Sequence, residues 1–512
     1  MTGTLQNCWR SMARVLLVNP RDSEIQEPYK IPWGALHIGS YLKSAGHEVT
    51  LLDPDASPNF KTRFRENLDH ADLVGFSLMT CQVHYALPLM RFVRERYPDL
   101  PVVAGGIHPT LLPEQTCLSP LIDCVVVGEG ERTIQDLVEH VGKKESLRNI
   151  AGIAWKESGS VIRNKERELA HLDDFPFLDY DLLEKHILAS FKNSMLSIFT
   201  GKGCSFRCAF CVNEVLRQRF RGKSAERVLS EIDYCITRFH SHDIYFRDDN
   251  FFHSRRRVVE ILEGILKRGY RFNWRAACRV GYFNDSFLND EMLSLLKRSG
   301  CLELKFGAES GSQRVLDYIT KDIKVEQTIR AAEKCKQFGI RGNFSFITAL
   351  PTETREEALQ TLDLIDRIKK IAPESVIIGP QPFRPYPGGR LYEDCVARGL
   401  KLPSSFGEWG EFSQSILTNS HFPASQLPWV KDRDYVESVW TIAANAHKDI
   451  WQLLRNPQTC WQVLYVLPFR LRWRYRFFRF PYEVKFLSFI RKWLLLIQSK
   501  LFSVRGLREE NA

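Results

Sequence analysis

The sequence predicts an α/β protein of two or three domains. Three observations carry this. The 512 residues exceed one ordinary core, β-branched apolar runs alternate with helix-patterned stretches over 13–127, and 44% hydrophobic with 26% charged residues is a globular composition without low-complexity tracts.

The first run, 13–19 (A-R-V-L-L-V-N), stops at Asn19-Pro20 and reads as a buried parallel strand. Helical spacing at Leu36, Ile38, Tyr41 and Leu42 follows within 34–46, with Gly46 as the stop. Further strands are predicted at 49–52, 72–78, 101–104 and 124–127, which makes 13–144 a doubly wound, Rossmann-like domain. Ligands on such sheets lie beyond the carboxyl ends of the strands. Those ends carry Asn19, Ser77, Thr80, Gly105, Gly106, His108, Gly128 and Glu129. Glycine lets backbone approach a large planar ligand, and Ser or Thr can bond its amide side chains. The competing reading is that these are turn residues of any α/β domain. Residues 145–194, with a strand at 150–155 and a Pro/Asp-rich stretch at 172–179, read as a connector.

Thirteen cysteines are scattered along the chain, and 1–14 lacks an apolar stretch of signal-peptide length. Reduced thiols and a cytoplasmic location are therefore expected. Three cysteines cluster. After a strand at 195–199, the segment I-F-T-G-K-G-C-S-F-R-C-A-F-C (198–211) sets Cys204, Cys208 and Cys211 on one glycine-bearing loop. Thiolates are the soft ligands an iron–sulfur cluster needs, and three of them leave one iron open. An open iron can chelate the amino and carboxylate groups of S-adenosylmethionine. Zinc is disfavoured because no fourth Cys or His lies at finger-like spacing. Cys278, Cys301, Cys335 and Cys395 fall in predicted strands and helices and read as buried apolar residues.

The cysteine spacing, with Phe210 before the last cysteine, resembles the radical S-adenosylmethionine superfamily from about 195 to 391. R-F-R-G-K-S-A-E-R-V-L-S-E-I (219–232) is similar to the first barrel helix region, and D-I-Y-F-R-D-D-N-F-F (243–252) to the second strand and its loop. N-W-R-A-A-C-R-V-G (273–281) and L-E-L-K-F-G-A-E-S-G (302–311) resemble the third and fourth strands, and 380–391 the segment after the last. The resemblance implies a partial (β/α) barrel over 195–410. It also implies an S-adenosylmethionine site made by Phe210, Asp248, Asp249, Asn250, Arg279, Glu309, Ser310, Leu350 and Pro351. Asp248, Asp249 and Asn250 would meet the methionine ammonium, and Arg279 the carboxylate. One departure is that Ala349 and Thr352 stand where the family more often has glycine.

P-W-G-A-L-H-I-G-S-Y-L-K-S-A-G-H-E-V (32–49), V-V-A-G-G-I-H-P-T (102–110) and V-V-G-E-G-E (126–131) look like the cobalamin domain of cobalamin-dependent radical enzymes. The D-x-H-x-x-G motif that supplies a lower axial histidine elsewhere is missing after the first strand, so the resemblance implies cobalamin held without a histidine ligand.

Together these resemblances imply a [4Fe–4S] cluster, S-adenosylmethionine and cobalamin as cofactors, and a flavodoxin- or ferredoxin-type electron donor. The chemistry implied is reductive cleavage of S-adenosylmethionine, hydrogen abstraction from an unactivated carbon and, in the methylases, methyl transfer by way of cobalamin. No catalytic acid, base or nucleophile is assigned. Three functions compete: a carbon methylase, an anaerobic oxidative cyclase or coupling enzyme, and a nucleic-acid-binding modifier or cobalamin-responsive regulator.

The formal charge of +10 is concentrated at the end of the chain. Residues 451–512 hold twelve Lys and Arg against three Glu, so the remainder is close to neutral. Within a helical, basic 411–512 region, a helix is expected around 436–454. The tail at 468–482 (P-F-R-L-R-W-R-Y-R-F-F-R-F-P-Y) interleaves arginine with aromatics, and 485–502 wound as a helix is amphipathic. Its longest uncharged stretch is too short to span a bilayer. The expectation is a peripheral membrane contact on the cytoplasmic side, a small-molecule or lipid substrate and no nucleic acid. A helix packed on the barrel is the competing reading.

Overall fold

The computed structural model describes residues 12–21, 31–143, 146–192, 194–216, 219–417, 427–448, 450–455 and 463–479, with Tyr482 and Phe486. The chain divides into two units, Met1–Ser194 with Leu402–Leu417, and Met195–Lys401 with Thr418–Ala512.

The first unit is built on a seven-stranded sheet ordered β2-β1-β3-β4-β5-β6-β7. Its strands are β1 (Arg14–Val18), β2 (Glu48–Leu52), β3 (Leu73–Ser77), β4 (Val102–Gly105), β5 (Cys124–Val126), β6 (Ile153–Glu157) and β7 (Ser160–Arg163). The five strands β1–β5 are parallel, with Val15 opposite both Val49 and Leu73. Their apolar runs form strands because helices cover the sheet. Leu16, Val18, Val74, Phe76, Val102 and Ala104 share one core with Val83, Ala86, Met90 and Val93 of the helix Val83–Arg96.

Two expectations need correction here. Residues 145–194 do more than connect, since β6 and β7 extend the sheet antiparallel from β5. The open edge of β5 carries backbone donors and acceptors, and β6 satisfies them. The helix Phe406–Leu417, assigned by sequence to the barrel's end and the tail, belongs to the first unit. Phe406 and Trp409 enter that core at 1% and 3% exposure, and Trp409 Nε1 donates to Gln115 Oε1 at 2.6 Å.

The second unit is a six-stranded, all-parallel sheet with helices between the strands, the partial barrel expected. The strands in it are β8 (Met195–Ile198), β11 (Asp243–Phe246), β12 (Asn273–Cys278), β13 (Cys301–Glu309), β14 (Arg341–Thr348) and β15 (Val376–Pro382), ordered β15-β14-β13-β12-β11-β8. A two-stranded ribbon, β9 (Gly201–Lys202) with β10 (Arg221–Gly222), follows β8. Five of the helices between these strands have a start signal. Ser224, Ser254, Asn289 and Ser312 accept the N-terminal N–H groups of their helices, and Thr354 with Glu357 forms a capping box. β15 contains Pro380 and Pro382, placed by sequence after the last strand. An edge strand tolerates proline because one side needs no ladder bonds. The helix expected at 436–454 is two, Arg433–Ala446 and Ile450–Arg455. The proposed helix at 485–502 lies outside the described residues apart from Phe486.

Candidate functional site

The cysteine loop is fixed at its start by a buried carboxylate. β8 leads to Thr200, whose N–H donates to Asp248 Oδ1 at 2.6 Å and whose hydroxyl donates to Oδ2. Burial pushes the Asp248 carboxyl up to about 6. Arg257 donates to the carbonyls of Thr200 and Lys223, closing the same turn. Asp248 is therefore a post of the loop and not a ligand for an ammonium group, which corrects its sequence assignment. Gly201 has no room for a side chain, because a Cβ there would stand 2.7 Å from the Phe220 ring.

Beyond the ribbon, Cys211 N–H donates to Cys208 carbonyl at 2.9 Å, and Ala209 N–H donates to Ile319 carbonyl at 2.8 Å. Cys208 is buried, while Cys204 and Cys211 are partly exposed. Burial raises the Cys204 thiol and pushes Cys211 up to about 11, with neighbouring thiols adding to both shifts. Among the described residues no three His, Cys, Asp or Glu side chains converge on a single metal ion. A cubane does not ask for that, since each thiolate takes a separate iron. Three free thiols on a tied loop beside two cations fit such a cluster. Arg279 Nη1 lies 3.5 Å from Cys208 Sγ, and its guanidinium lies 3.5 Å over the Phe206 ring. Lys321 Nζ stands 5.5 Å over the Phe210 ring and pairs with Glu309 Oε1 at 2.7 Å in a buried ion pair.

These contacts redistribute the predicted roles. Arg279 also donates to Lys321 carbonyl, so it braces the cysteine loop where a substrate carboxylate was expected. Glu309 is engaged by Lys321, and its backbone is left-handed at φ 63°. Ser310 is fully buried, with Oγ 3.2 Å from Thr361 Oγ1 and accepting the Ser312 N–H, so it supports the strand end and is closed to a ligand. Asn250 is buried and exchanges hydrogen bonds with the Tyr282 hydroxyl. Asp249 is exposed at the carboxyl end of β11, and its charge acts on both Cys204 and Cys211. Of the D-D-N triplet it alone faces outward.

Leu350 and Pro351 are buried just after β14. The preceding Ala349 is left-handed at φ 60°, a conformation that glycine adopts more readily than a residue with a side chain. Ala349 is held by donating its N–H to Glu353 Oε2 at 2.6 Å and accepting from Trp429 Nε1 at 2.9 Å. The Thr348 hydroxyl joins the same Glu353 oxygen at 2.8 Å. Burial pushes the Glu353 carboxyl up to about 7, and Oε1 is buried without a partner among the described residues. Sequence reading missed Lys321, Glu353, Arg257 and Thr200. Gly307 offered one signal, two positions before Glu309 on the same strand face, because a Cβ there would lie 2.2 Å from Glu309 Oε1 and 2.7 Å from Lys321 Nζ.

In the first unit, the loops after β1, β3, β4 and β5 make a glycine-lined edge. Gly106 at φ 99° presses on Leu78 backbone, where a Cβ would lie 2.7 Å from its oxygen. Gly128 at φ 83° has open space where its Cβ would be, and its N–H donates to Thr110 Oγ1 at 3.0 Å. Met79 and Ile107 stand 44% and 40% exposed on the same loops. Bare backbone flanked by exposed apolar side chains fits the face of a corrin ring. Asn19 donates to Asp53 and accepts from Gln82, which fixes the β1 loop.

His108 is a correction. It is 1% exposed, with Nδ1 3.1 Å from Thr80 Oγ1 and its ring packed on Phe406 and Trp409. Burial pulls its pKa down to about 4, so it is a neutral brace for the loop and not a group open to a ligand. His47 lies at the opposite, amino end of the sheet, where Nδ1 accepts from Ala13 N–H.

A glycine-lined strand edge in one α/β unit, and a three-cysteine loop at the mouth of a parallel barrel in the other, define a radical enzyme with two cofactor sites. A B12 binding domain model matches residues 29–138, and a radical SAM superfamily model matches 198–365. An uncharacterized methyltransferase of Pyrococcus horikoshii is 30% identical over 434 residues, 83% of this chain and 92% of the relative. The anaerobic magnesium-protoporphyrin IX monomethyl ester cyclase of Rubrivivax gelatinosus is 28% identical over 68% of this chain and 64% of the relative. The hopanoid C-3 methylase of Methylococcus capsulatus is 26% identical over 79% and 78%. The radical S-adenosylmethionine methyltransferase TsrM of Kitasatospora setae shares the fold at TM-score 0.63, with 20% identity over 76% of this chain and 78% of that one. The chain belongs to the cobalamin-binding radical S-adenosylmethionine enzymes, whose cofactors are a [4Fe–4S] cluster, S-adenosylmethionine and cobalamin.

Proposed function

We propose that this enzyme methylates an unactivated carbon of a hydrophobic substrate. The observation that carries the reading is the 30% identity to the Pyrococcus methyltransferase, which extends over 83% of the chain and so reaches both units. Likeness to a hopanoid methylase over 79% of the chain supports a hydrophobic substrate. In this reading Cys204, Cys208 and Cys211 hold the cluster, and Asn19, Ser77, Thr80, Gly105, Gly106, Gly128 and Glu129 border cobalamin. Bound there, the cluster with S-adenosylmethionine supplies hydrogen abstraction, and cobalamin supplies methyl transfer.

The chain's own residues position and neutralise. Arg279 sets a positive charge against the thiolates, Asp249 offers an exposed carboxylate to the methionine ammonium, and Phe210, Leu350 and Pro351 give apolar contact. A small flavodoxin- or ferredoxin-type protein delivers the electron.

The similarity to the cyclase supports a second reading, ring closure without methyl transfer. Anaerobic turnover with lipid extract and methyl-labelled S-adenosylmethionine separates the two. A methylase forms S-adenosylhomocysteine and 5′-deoxyadenosine together and labels a lipid. Turnover that releases 5′-deoxyadenosine but no S-adenosylhomocysteine would overturn the methylase reading.

A further inference from the structure

The helix Val463–Arg474 is apolar on two opposite faces. One face serves the fold. Val466 and Phe469 are fully buried and Trp473 is 5% exposed, with packing against the helix Arg433–Ala446. This face is fastened to the barrel helix Arg355–Ile371, since Trp473 Nε1 donates to Asp366 at 2.7 Å and Arg476 pairs with Asp363 and Asp366 at 2.8 and 2.7 Å.

The second face is turned to solvent, with the Arg474 guanidinium 6.0 Å from the Tyr475 ring. Leu464, Leu467, Leu471 and Tyr475 are 80%, 50%, 59% and 71% exposed. Their spacing of three, four and four residues keeps them on one stripe, turned about 180° from Trp473. Soluble surfaces scatter such residues singly, and a contiguous stripe marks an interaction site.

We infer that this face docks the enzyme on an anionic lipid surface. Arg470 and Arg474 flank the stripe on one side, Arg472 flanks it on the other, and Arg479 follows. Arg470 donates only to the neutral carbonyls of Ala446 and Lys448, which leaves its charge in place. No Asp or Glu occurs between Arg455 and Tyr482. Exposed Phe477 and Tyr482, at 47% and 73%, add aromatic rings of the kind that sit at the headgroup level.

Other occupants fit less well. Stacked bases would seek aromatic faces, and three of the four stripe positions are leucine. A second copy across a two-fold axis would bring the arginine flanks against each other. At twelve residues the helix is about 18 Å long, which suits lying in the interface and not crossing it. No helix among the described residues is long and apolar enough to cross a membrane.

The inference is independent of which substrate is methylated, and its test needs no turnover. The anaerobically loaded full chain is floated with phosphatidylcholine vesicles, with and without phosphatidylglycerol, and compared with a Leu464→Ser/Leu467→Ser/Leu471→Ser variant. The parent is expected to bind the anionic vesicles, less so as salt rises, and the variant to lose binding by about tenfold or more. Because these leucines are exposed, the variant should keep its cluster absorbance and thermal midpoint. Arg474→Gln/Arg479→Gln should weaken binding to anionic vesicles only. Failure of the parent to float, equal flotation of the leucine variant, or a dimer or RNA complex in place of vesicle binding would each overturn the proposal.

Discussion

Glu353 gives a sharp pH test of the loop after β14. Its Oε2 accepts from Ala349 N–H and the Thr348 hydroxyl, while Oε1 is buried and partnerless among the described residues. Burial is the main cause of a pKa raised from 4.5 to about 7, and the nearby Glu357 charge adds to it. The folded loop thus holds a proton that the opened loop releases. The resulting stabilisation is present in full below about pH 4.5 and is lost as the pH rises through about 7. A shift of that size is worth about 3 kcal/mol between those limits.

Glu353→Gln should remove this dependence. The amide carbonyl can accept both bonds, and its NH2 stands where the protonated oxygen did. The assay is native-state hydrogen exchange of β14 amides in parent and variant at matched pH, which cancels the intrinsic exchange rate. Protection should be similar near pH 5. Near pH 8 the variant should be more protected, by up to about a hundredfold. A difference that does not change with pH would refute the argument, because a merely structural effect of the substitution has no reason to titrate.

Three further outcomes are expected. Replacing any of Cys204, Cys208 and Cys211 by Ala should abolish cluster absorbance and 5′-deoxyadenosine formation; full iron content in the triple variant would exclude the assignment. The enzyme loaded with cob(II)alamin should show no nitrogen splitting from an axial base in its spin-resonance spectrum, and a clear imidazole splitting would contradict the buried role of His108. Gly307→Ala places a methyl group against the charged ends of the buried Glu309–Lys321 pair, which must shift, and should lower the thermal midpoint of the barrel more than Gly281→Ala, with nothing nearer than 3.7 Å; equal losses in thermal unfolding would count against the pair.

The strands of both units were legible because each apolar run has helices to cover it, so Val15–Val18 or Ile244–Phe246 cannot rest anywhere but inside a sheet. The cysteine loop was legible from spacing alone. Which member of Asp248-Asp249-Asn250 faces the site was not, since adjacent residues leave a strand end in opposite directions and only the fold says which one Thr200 captures. Lys321 sits in an ordinary-looking T-K-D-I-K segment, with nothing local to distinguish a buried cation from a solvated one. The second strand of the added hairpin, S-V-I-R, is too polar and short to announce itself. The helix Val463–Arg474 hides for a different reason: with leucines on one side and Phe469 and Trp473 on the other, its two apolar faces cancel in any one-sided periodicity.

The return of the helix Phe406–Leu417 to the first unit makes the barrel an insertion within that unit. During synthesis, the first sheet emerges without the side chains that finish its core. Until Trp409 leaves the ribosome, the helix Val83–Arg96 has no cover over Leu87, where Gly410 comes so close that a Cβ would lie 2.4 Å from Leu87 Cδ1. The whole barrel sequence must therefore be translated before the earlier-made unit can close. A gene fragment stopping at Ser194 would encode a sheet with an exposed apolar flank, so the first unit needs a segment translated after the barrel to finish its core.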